Sequence, residues 1–462
     1  MPLVPVILAV ALFMEQMDST VIATSLPAIA ADLGTTPVAL KLAVTSYLVA
    51  LAIFIPISGW MSDRFGAKNV FRVAIAVFIA GSIACAFAGS VHAFVLARFL
   101  QGVGGSMMTP VSRLLLVRGT PRSELVGAMA WLTIPALIGP ILGPPLGGFI
   151  TTYATWHWIF LINVPIGLLG IALVTKYLPA GETYAPRPID LVGFLLSAVA
   201  FSGFVFGMSV MSLPALPIAW GYAAVAFGIL AGCAYLRHAR RTAHPLLDPR
   251  MMRHRLFRTA IVGGSLFRIG IGAIPFLLPL MLQLGFGLTP FQSGLITFIA
   301  AVGALSSKFG VQRIYRAFGF RNVFALCAVG SAALIAVNAL FFPDTPKSLI
   351  MACLLAGGIL RSISFTGVNA LVFAEIDERD SGQATAINAV FQQISLATGV
   401  ALAGGVLDFA ARLHGGPLRL EDFHAAFLVV GVITSLAAVV FLRLPADAGA
   451  AVSGHRPLPS RA

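Results

Sequence analysis

Six charged side chains lie inside long apolar segments, and they are the residues of this sequence best placed to do chemistry. A charge at the centre of a membrane span costs roughly 2.5–3.5 kcal/mol on insertion scales, so such residues are functional candidates. Two of the six are acidic: Glu15 and Asp18 are three residues apart and share one face of a helix. Burial and mutual repulsion favour the protonated form of at least one of them, which would let it load and release a proton. The alternative is a permanent ion pair with a nearby arginine.

The other four charges are arginines. Arg98 and Arg113 share one segment and are about 22 Å apart along a helix, so Arg113 could instead extend to the membrane surface. Arg268 and Arg361 lie in the middle of segments in the second half of the chain, where backbone carbonyls are alternative partners. The excess of arginines over acids favours an anionic ligand. Neutral polar side chains accompany them and could line a wet cavity or bond between helices: Gln101, Asn369, Asn388, Gln392 and Gln393.

The elements that must position these residues are hydrophobic helices. Of the 462 residues, 58% are hydrophobic and 10% are charged, whereas a soluble domain carries about 25% charged residues. Fourteen apolar segments approach the length of about 20 residues that crosses a bilayer, and they leave no room for a large soluble domain. The sequence therefore excludes a soluble enzyme and a receptor with a sizeable ectodomain. The segments lie near residues 4–27, 42–60, 71–90, 93–117, 125–150, 157–175, 189–209, 216–236, 259–282, 291–307, 322–342, 348–373, 383–407 and 423–442.

The distribution of positive charge predicts the orientation. Of the 30 Lys and Arg residues, 22 fall on one side of the predicted membrane, 4 on the other side and 4 inside spans. Because cytoplasmic loops carry the excess of positive charge, both termini are predicted to be cytoplasmic. The net charge of +13 is spread over short loops, so it indicates no nucleic-acid partner. The four cysteines are far apart and form no CxxC pair, which predicts neither a disulfide framework nor a metal site.

The sequence also repeats itself. Residues 65–71 read Phe-Gly-Ala-Lys-Asn-Val-Phe and residues 318–324 read Phe-Gly-Phe-Arg-Asn-Val-Phe, with five of seven positions identical. Both loops are predicted to be cytoplasmic, so the repeat is parallel, as in transporters with two like-oriented bundles. We therefore expect a six-helix bundle at 1–178, two inserted helices with a basic cytoplasmic loop at 179–255, a second six-helix bundle at 256–444, and a disordered cytoplasmic tail at 445–462.

Several stretches of the sequence resemble the motifs of one family of transporters. The loop after span 2 contains Gly59, Asp63, Arg64, Gly66 and Lys68 and resembles the span 2–3 motif of the major facilitator superfamily. Residues 98–104, Arg-Phe-Leu-Gln-Gly-Val-Gly, resemble its span 4 motif. Residues 17–27 and 156–165 are similar to the 14-span drug:proton antiporters of the EmrB/QacA type, and within them to MdtD-like members. Six residues resemble the antiporter motif of span 5: Gly139, Pro140, Gly143, Pro144, Gly147 and Gly148.

The resemblance implies an all-α polytopic membrane protein with the major facilitator fold, in which two six-helix bundles and two inserted helices make 14 spans. Asp63 and its basic neighbours would form a latch at the cytoplasmic mouth that breaks and re-forms during alternating access. Ala67 stands where the family usually has a basic residue, which would weaken the latch. Arg98 would couple transport to protons, and Asp18 matches the span 1 motif. For the loop, the alternative is that its basic residues only anchor the cytoplasmic side and Gly66 makes a turn. For span 5, the alternative is a kinked helix without a role in transport.

The resemblance implies a secondary transporter that exports drugs or toxic compounds in exchange for protons across a bacterial inner membrane. No nucleotide-binding loop and no HExxH occurs, so we expect no cofactor, no metal, and a gradient as the energy source. Its partners would be a small-molecule substrate, protons and the lipid bilayer, with a periplasmic adaptor left open. The main alternative is an exporter of anionic metabolites such as hydroxycarboxylates, which the four arginines favour. An importer and a non-transporting membrane sensor are more remote alternatives.

Overall fold

A computed structural model describes residues 3–35, 37–179, 188–211, 217–288, 290–415 and 418–455. Within these ranges the chain is helical and contains no β-strand. Helices satisfy their own backbone N–H and C=O groups, which a bilayer cannot do for them. The helices are α1 (Leu3–Asp32), α2 (Pro37–Phe54), α3 (Ser58–Phe65), α4 (Ala67–Ala86), α5 (Val91–Arg118), α6 (Leu125–Tyr153), α7 (Trp158–Leu161), α8 (Asn163–Tyr177), α9 (Leu191–Met211), α10 (Ile218–Arg241), α11 (Arg255–Leu280), α12 (Pro290–Ser307), α13 (Val311–Val337), α14 (Lys347–Leu371), α15 (Ser381–His414), α16 (Leu420–Phe441) and α17 (Ala450–Ser453).

Eleven stretches of the described residues are long and apolar enough to cross a membrane. The predicted segments near 93–117, 125–150 and 291–307 form α5, α6 and α12 but are not among the eleven. Helix α5 contains three arginines, which lower its mean hydropathy. The count of fourteen spans and the cytoplasmic position of both termini therefore stay predictions. Three cations used for the orientation lie outside the described residues: Arg187, Arg456 and Arg461.

The chain divides into two compact units. Unit 1 contains Met1–Thr120, Trp131–Met251 and Asp377–Val390, and unit 2 contains Pro121–Ala130, Met252–Ile376 and Phe391–Ala462. Helices α6 and α15 are each shared, because the first turns of each belong to one unit and the remainder to the other. The predicted boundaries at 178, 255 and 444 stay predictions.

Helix α5 lies at the centre of unit 1. It packs along α4 and α2, while α1 packs against α8 and α5. The close approach of α4 and α5 requires glycine, since a Cβ added to Gly104 would lie 2.5 Å from the backbone nitrogen of Phe78. Small residues at helix contacts are typical of membrane proteins. This packing brings the arginines of α5 into the interior of unit 1.

Helices α9 and α10, the predicted inserted pair, pack mainly on each other, and α9 also contacts α2. Their contact again uses glycine: a Cβ added to Gly207 would lie 2.7 Å from the carbonyl oxygen of Gly221. Within the two spans, 28% of Leu191–Met208 and 22% of Ile218–Arg241 is buried. Most of the apolar surface of the pair therefore faces outward, as suits contact with lipid.

In unit 2, α13 packs against α14 and α16, α12 packs against α14, and α11 packs against α16. Phe324 of α13 packs against Phe441 of α16 at a centroid distance of 4.5 Å, and Tyr315 packs against Phe320 within α13 at 4.6 Å. The core of this unit is thus aromatic next to the repeated segment 318–324.

The two repeated segments break the helix at the same position. Gly66 separates α3 from α4 with φ +82°, and Gly319 interrupts α13 with φ +70°. A residue with a Cβ rarely adopts such φ values, so both positions favour glycine. The sequence repeat is therefore matched by a repeat of backbone conformation.

The tail expected to be disordered is ordered between residues 445 and 455. Helix α17 packs on α13 and on the 3₁₀ turn Arg122–Glu124 within unit 2, and Ala448 and Val452 are buried. His455 Nδ1 lies 2.8 Å from the carbonyl oxygen of Arg316. The prediction of disorder is wrong for these residues. Their few apolar side chains are buried by packing on α13 and on the turn Arg122–Glu124, and no local sequence pattern indicates such packing.

Candidate functional site

Asp18 is the centre of a buried hydrogen-bond network in unit 1. Arg98 Nη1 donates to its Oδ2 at 2.7 Å, and the side-chain amides of Gln101 and Asn163 each donate to its Oδ1 at 2.8 Å. The same two amides donate to Ser82 Oγ at 2.8 and 3.2 Å. The side chains of Asp18 and Arg98 are each 1% exposed. Three donors, one of them a guanidinium, suit an ionised carboxylate, which can only accept.

Aromatic rings complete the surroundings of Arg98. Its guanidinium carbon lies 4.5 Å from the ring centre of Tyr47 and 5.9 Å from that of Phe160. Three buried atoms of this cluster have no hydrogen-bond partner among the described residues: Arg98 Nε, the Tyr47 hydroxyl and Asn163 Oδ1. Buried polar atoms are normally paired, so these atoms mark the part of the network that could bind water or rearrange.

Glu15 lies one turn before Asp18 on α1. Its Oε2 accepts a hydrogen bond from Thr109 Oγ1 on α5 at 3.0 Å. Arg113 is close enough to attract Glu15 electrostatically, and both side chains are buried. Arg113 therefore does not extend to the surface, which the sequence had left open. Two couples of an acid and an arginine thus lie between α1 and α5.

Two glycines of the predicted antiporter motif, Gly139 and Gly143, face α1 beside these acids. A Cβ added to Gly139 would lie 2.9 Å from the backbone nitrogen of Met17, and one added to Gly143 would lie 2.0 Å from Thr20 Oγ1. Helix α6 therefore touches α1 immediately before and after Asp18. The other motif residues make no such contact that can be described: Gly147 is buried, Gly148 faces open space, and the side chains of Pro140 and Pro144 lie outside the described part of the chain.

The predicted latch residue Asp63, at the end of α3, pairs with Arg118 at the end of α5. Arg118 Nη2 donates to Asp63 Oδ1 at 2.7 Å, and Arg118 Nε donates to Ser381 Oγ at 3.2 Å. A Cβ added to Gly59 would lie 2.6 Å from the carbonyl oxygen of Gly382. These contacts hold the start of α15 within unit 1. The partial positive charge of that helix N-terminus also attracts the Asp63 carboxylate.

The basic neighbours expected to join Asp63 are placed differently. Arg64 is exposed and forms no ion pair in the part of the chain that the structure describes. Lys68 donates to the carbonyl oxygen of Thr175 at 3.1 Å and to that of Leu178, at the end of α8. Gly66 provides the left-handed turn between α3 and α4. The ion-pair partner of Asp63 is therefore Arg118 and neither of the predicted basic neighbours.

In unit 2, three cations converge on α14. Arg268 Nη2 on α11 donates to Asn369 Oδ1 at 3.1 Å. Arg361 is half-buried and makes no hydrogen bond or ion pair among the described residues. Lys308 is buried between α12 and α13 and donates to Thr366 Oγ1. Burial of this ammonium lowers the pKa of Lys308 to about 7.

Sequence reasoning missed the hydroxyl partners Ser82, Thr109 and Thr366 and four further residues of these sites. Arg118, Ser381 and Lys308 looked like ordinary loop cations or a loop hydroxyl, and no local signal links them to their partners. Asn163 could have been found, since it is an amide inside an apolar run and belongs to a segment that matched the family. In the described ranges, no group of three or more His, Cys, Asp or Glu side chains is arranged to hold a metal ion.

Comparisons of sequence agree with the motifs. The family model of the Major Facilitator Superfamily matches residues 8–259 and 260–460. A protein of Yersinia enterocolitica named "Putative multidrug resistance protein MdtD" is 35% identical over 453 residues, which are 96% of this chain and 95% of that protein. The protein of the same name from Salmonella heidelberg is 36% identical over 454 residues, with coverage of 96% and 94%.

Comparisons of structure give the same fold. The proton:xylose symporter XylE, bound to 6-bromo-6-deoxy-D-glucose, superposes with a TM-score of 0.69 at 15% identity and covers 97% of this chain and 96% of its own. The human organic anion transporter MFSD10 (TETRAN) superposes with a TM-score of 0.66 at 14% identity, covering 96% and 100%. At these identities the likeness shows the fold alone. The resemblance drawn from the motifs is confirmed: the chain is a multi-pass inner-membrane protein that belongs to the Major Facilitator Superfamily.

Proposed function

We propose that this chain exports small molecules, drugs or toxic compounds among them, across the inner membrane in exchange for protons. Fourteen spans, two cytoplasmic termini and alternating access are part of the proposal. Relatives that are 35–36% identical carry a multidrug resistance name, which supports the substrate class. The antiporter motif of α6 supports export over import.

The buried couple of Asp18 and Arg98 carries the proposal of proton coupling. In the described state Asp18 accepts from a guanidinium and two amides, an arrangement for a carboxylate without its proton. A proton added to Asp18 would cancel the charge that holds Arg98 and would turn one acceptor oxygen into a donor. Loading a proton therefore breaks the network, and releasing the proton restores it. Glu15 lies one turn away, with Thr109 and Arg113 beside it, as a second proton carrier on the same helix face.

The second step of the proposed cycle is at the latch. The Asp63–Arg118 pair joins α3 to α5, and residues 377–390 are held to these helices by the Arg118–Ser381 hydrogen bond and the close approach of Gly59 to Gly382. Alternating access would require these contacts to break in the opposite state. Gly139 and Gly143 have no side chains, so α6 approaches Met17 and Thr20 of α1 closely, and the proposed cycle uses that smooth contact for a shift of α1 along α6.

Everted vesicles with an acid interior and a pH dye test the proposal directly. A lipophilic cation added to vesicles that contain the wild-type protein should release protons, and Asp18→Asn should abolish the release. Asp32→Asn is the matched control: Asp32 is an exposed acid on the same helix and accepts a hydrogen bond from Trp156 Nε1 at 3.1 Å, which an amide oxygen can still accept. Equal proton release by wild type and Asp18→Asn would contradict the proposed role of Asp18.

Organic anions are the second candidate substrate class, and the cations of unit 2 favour them. Arg361 has no partner in the described residues, and Lys308 has only the Thr366 hydroxyl. A half-buried guanidinium without a counter-ion attracts anions. Proton release by a tricarboxylate, lost in Arg361→Gln and unaffected in the exposed Arg241→Gln, would establish this class. Proton release with the lipophilic cation but none with the tricarboxylate would exclude organic anions as the substrate class.

A further inference from the structure

Unit 1 contains a cavity of about 260 Å³ that none of the steps above uses. Four parts of the chain form its wall: the end of α3, residues 188–190 before α9, residues 244–246 after α10, and the start of α15 with the turn before it. The two segments that join the inserted pair α9–α10 to the rest of the chain therefore meet the latch segment here. Gln383 joins the start of α15 to the loop after α10. Its Oε1 accepts from the backbone nitrogen of Asp248 at 3.2 Å, and its Nε2 donates to the carbonyl oxygen of Pro245 at 3.3 Å.

The acidic residues of the cavity already have positive or donating partners. Asp63 is paired with Arg118 at 2.7 Å. Asp190 lies 2.7 Å from His238 Nε2 and accepts from the backbone nitrogens of Gly193 at 2.8 Å and Leu246 at 3.2 Å. Asp190 thereby caps the start of α9 and ties it to the loop after α10. Neither carboxylate is left over to balance further positive charge.

Three basic side chains of the same wall have no such partner. Arg64, His244 and Arg379 are exposed, and none of them makes a hydrogen bond or an ion pair within the described ranges. They come from the end of α3, the loop after α10 and the turn before α15, so three separate parts of the chain direct basic groups to one concave surface. Cations gathered in a cleft with low-dielectric walls raise the local concentration of anions.

We propose that this cavity binds a phosphate-bearing anion of headgroup size. Guanidinium groups match phosphate oxygens in a bidentate geometry, and two of the three basic side chains are arginines. The volume lies just under the range of about 300–1,000 Å³ that holds drug-sized ligands, so a phosphate with a short polar substituent fits better than a transported drug. The bound anion would join Arg379 to Arg64 and His244, and so fasten the start of α15 to α3 and to the linkers of the inserted pair. The source is either an anionic phospholipid or a soluble phosphate ester.

Thermal unfolding of the full, delipidated protein in detergent tests the site and separates the two sources. The soluble arm titrates sn-glycerol 3-phosphate against glycerol, and the lipid arm titrates phosphatidylglycerol against phosphatidylcholine of the same acyl chains. We expect one phosphate ligand to raise the unfolding midpoint of the wild type in a saturable way. Arg379→Gln and His244→Gln should each bind it about tenfold more weakly, since a hydrogen bond to a charged group contributes about that factor.

Arg241→Gln is the matched control, because Arg241 is an exposed arginine at the end of α10 that does not border the cavity. A response to sn-glycerol 3-phosphate assigns a soluble ligand, and a response to phosphatidylglycerol alone assigns a lipid. Two variants are used so that a folding defect in one leaves the other to decide. The proposal is overturned if no phosphate ligand shifts the wild type, or if Arg379→Gln and His244→Gln respond as Arg241→Gln does.

Discussion

Replacing Asp18 by Asn would remove the counter-ion of Arg98 while keeping the size of the side chain. Arg98 would stay buried with Nη1 beside the former carboxylate oxygen, now 2.7 Å away. Removing one partner of a buried ion pair costs about 3–5 kcal/mol, because the other charge is left uncompensated. The guanidinium keeps its hydrogen bond to Gln101 and its position over Tyr47 at 4.5 Å. We therefore expect the lower end of that range, a loss of about 3 kcal/mol in the free energy of unfolding.

The double variant Asp18→Asn/Arg98→Gln separates the charge effect from lost packing. It removes both charges, so no buried ion is left without a partner. Residues in one network show coupling energies of about 0.5–3 kcal/mol, and we expect the double variant to be less destabilised than the sum of the single ones by about 2 kcal/mol. Denaturant unfolding in detergent, followed by tryptophan fluorescence and far-ultraviolet circular dichroism, measures all four proteins.

Asp32→Asn serves again as the control, since Asp32 is an exposed acid at the end of the same helix. It should unfold within about 0.5 kcal/mol of the wild type, as surface substitutions usually do. Strictly additive losses of unfolding free energy in the single and double variants would refute the prediction, because the two charges would then contribute independently. An Asp18→Asn variant that unfolds like Asp32→Asn would refute it as well, because Arg98 would then not need its counter-ion.

Two further variants test the packing of α6 and the burial of Lys308. Gly143→Val should cost about 1–3 kcal/mol of unfolding free energy through overpacking, because a Cβ added at Gly143 would collide with Thr20 Oγ1. Gly148→Val is the control and should unfold like the wild type, because a Cβ added at Gly148 would have no atom within 4 Å. Equal losses in the two variants would contradict the proposed contact with α1. Lys308→Met should stabilise the protein most below pH 7. Since burial lowers the pKa of Lys308 from 10.5 to about 7, the unfolded chain binds more protons between these values and the stability of the wild type rises with pH there. At about 1.4 kcal/mol per pKa unit, the advantage of the variant should shrink by about 2 kcal/mol between pH 7 and pH 9, and a constant advantage would contradict the shift.

Much of the architecture could be predicted because membranes restrict the choices. A bilayer demands helices of known length, so hydropathy alone located the segments that form the long helices of the structure. Charges inside such segments are rare and costly, which singled out Glu15, Asp18 and Arg98 before any contact was known. The repeat at 65–71 and 318–324 predicted equivalent loops, and both contain a glycine with positive φ.

The partners of these residues could not be predicted in the same way. The sequence placed basic neighbours beside Asp63, but its partner is Arg118, which lies 55 positions away in the chain. Lys308 looked like a loop cation, yet packing of α12 against α14 buries it. The tail after Leu444 has little pattern, yet Val452 is fully buried.

The sequence by itself determined the class of protein, the family and the candidate charges, because each of these follows from local composition, spacing or motif. Only the tertiary structure decided which acid pairs with which arginine, which glycines meet a neighbouring backbone, and where basic groups collect without a counter-ion. The physical reason is that an ion pair or a cavity wall joins residues that lie far apart in the chain. Their proximity depends on how whole helices pack, and no periodicity within a single segment records that packing.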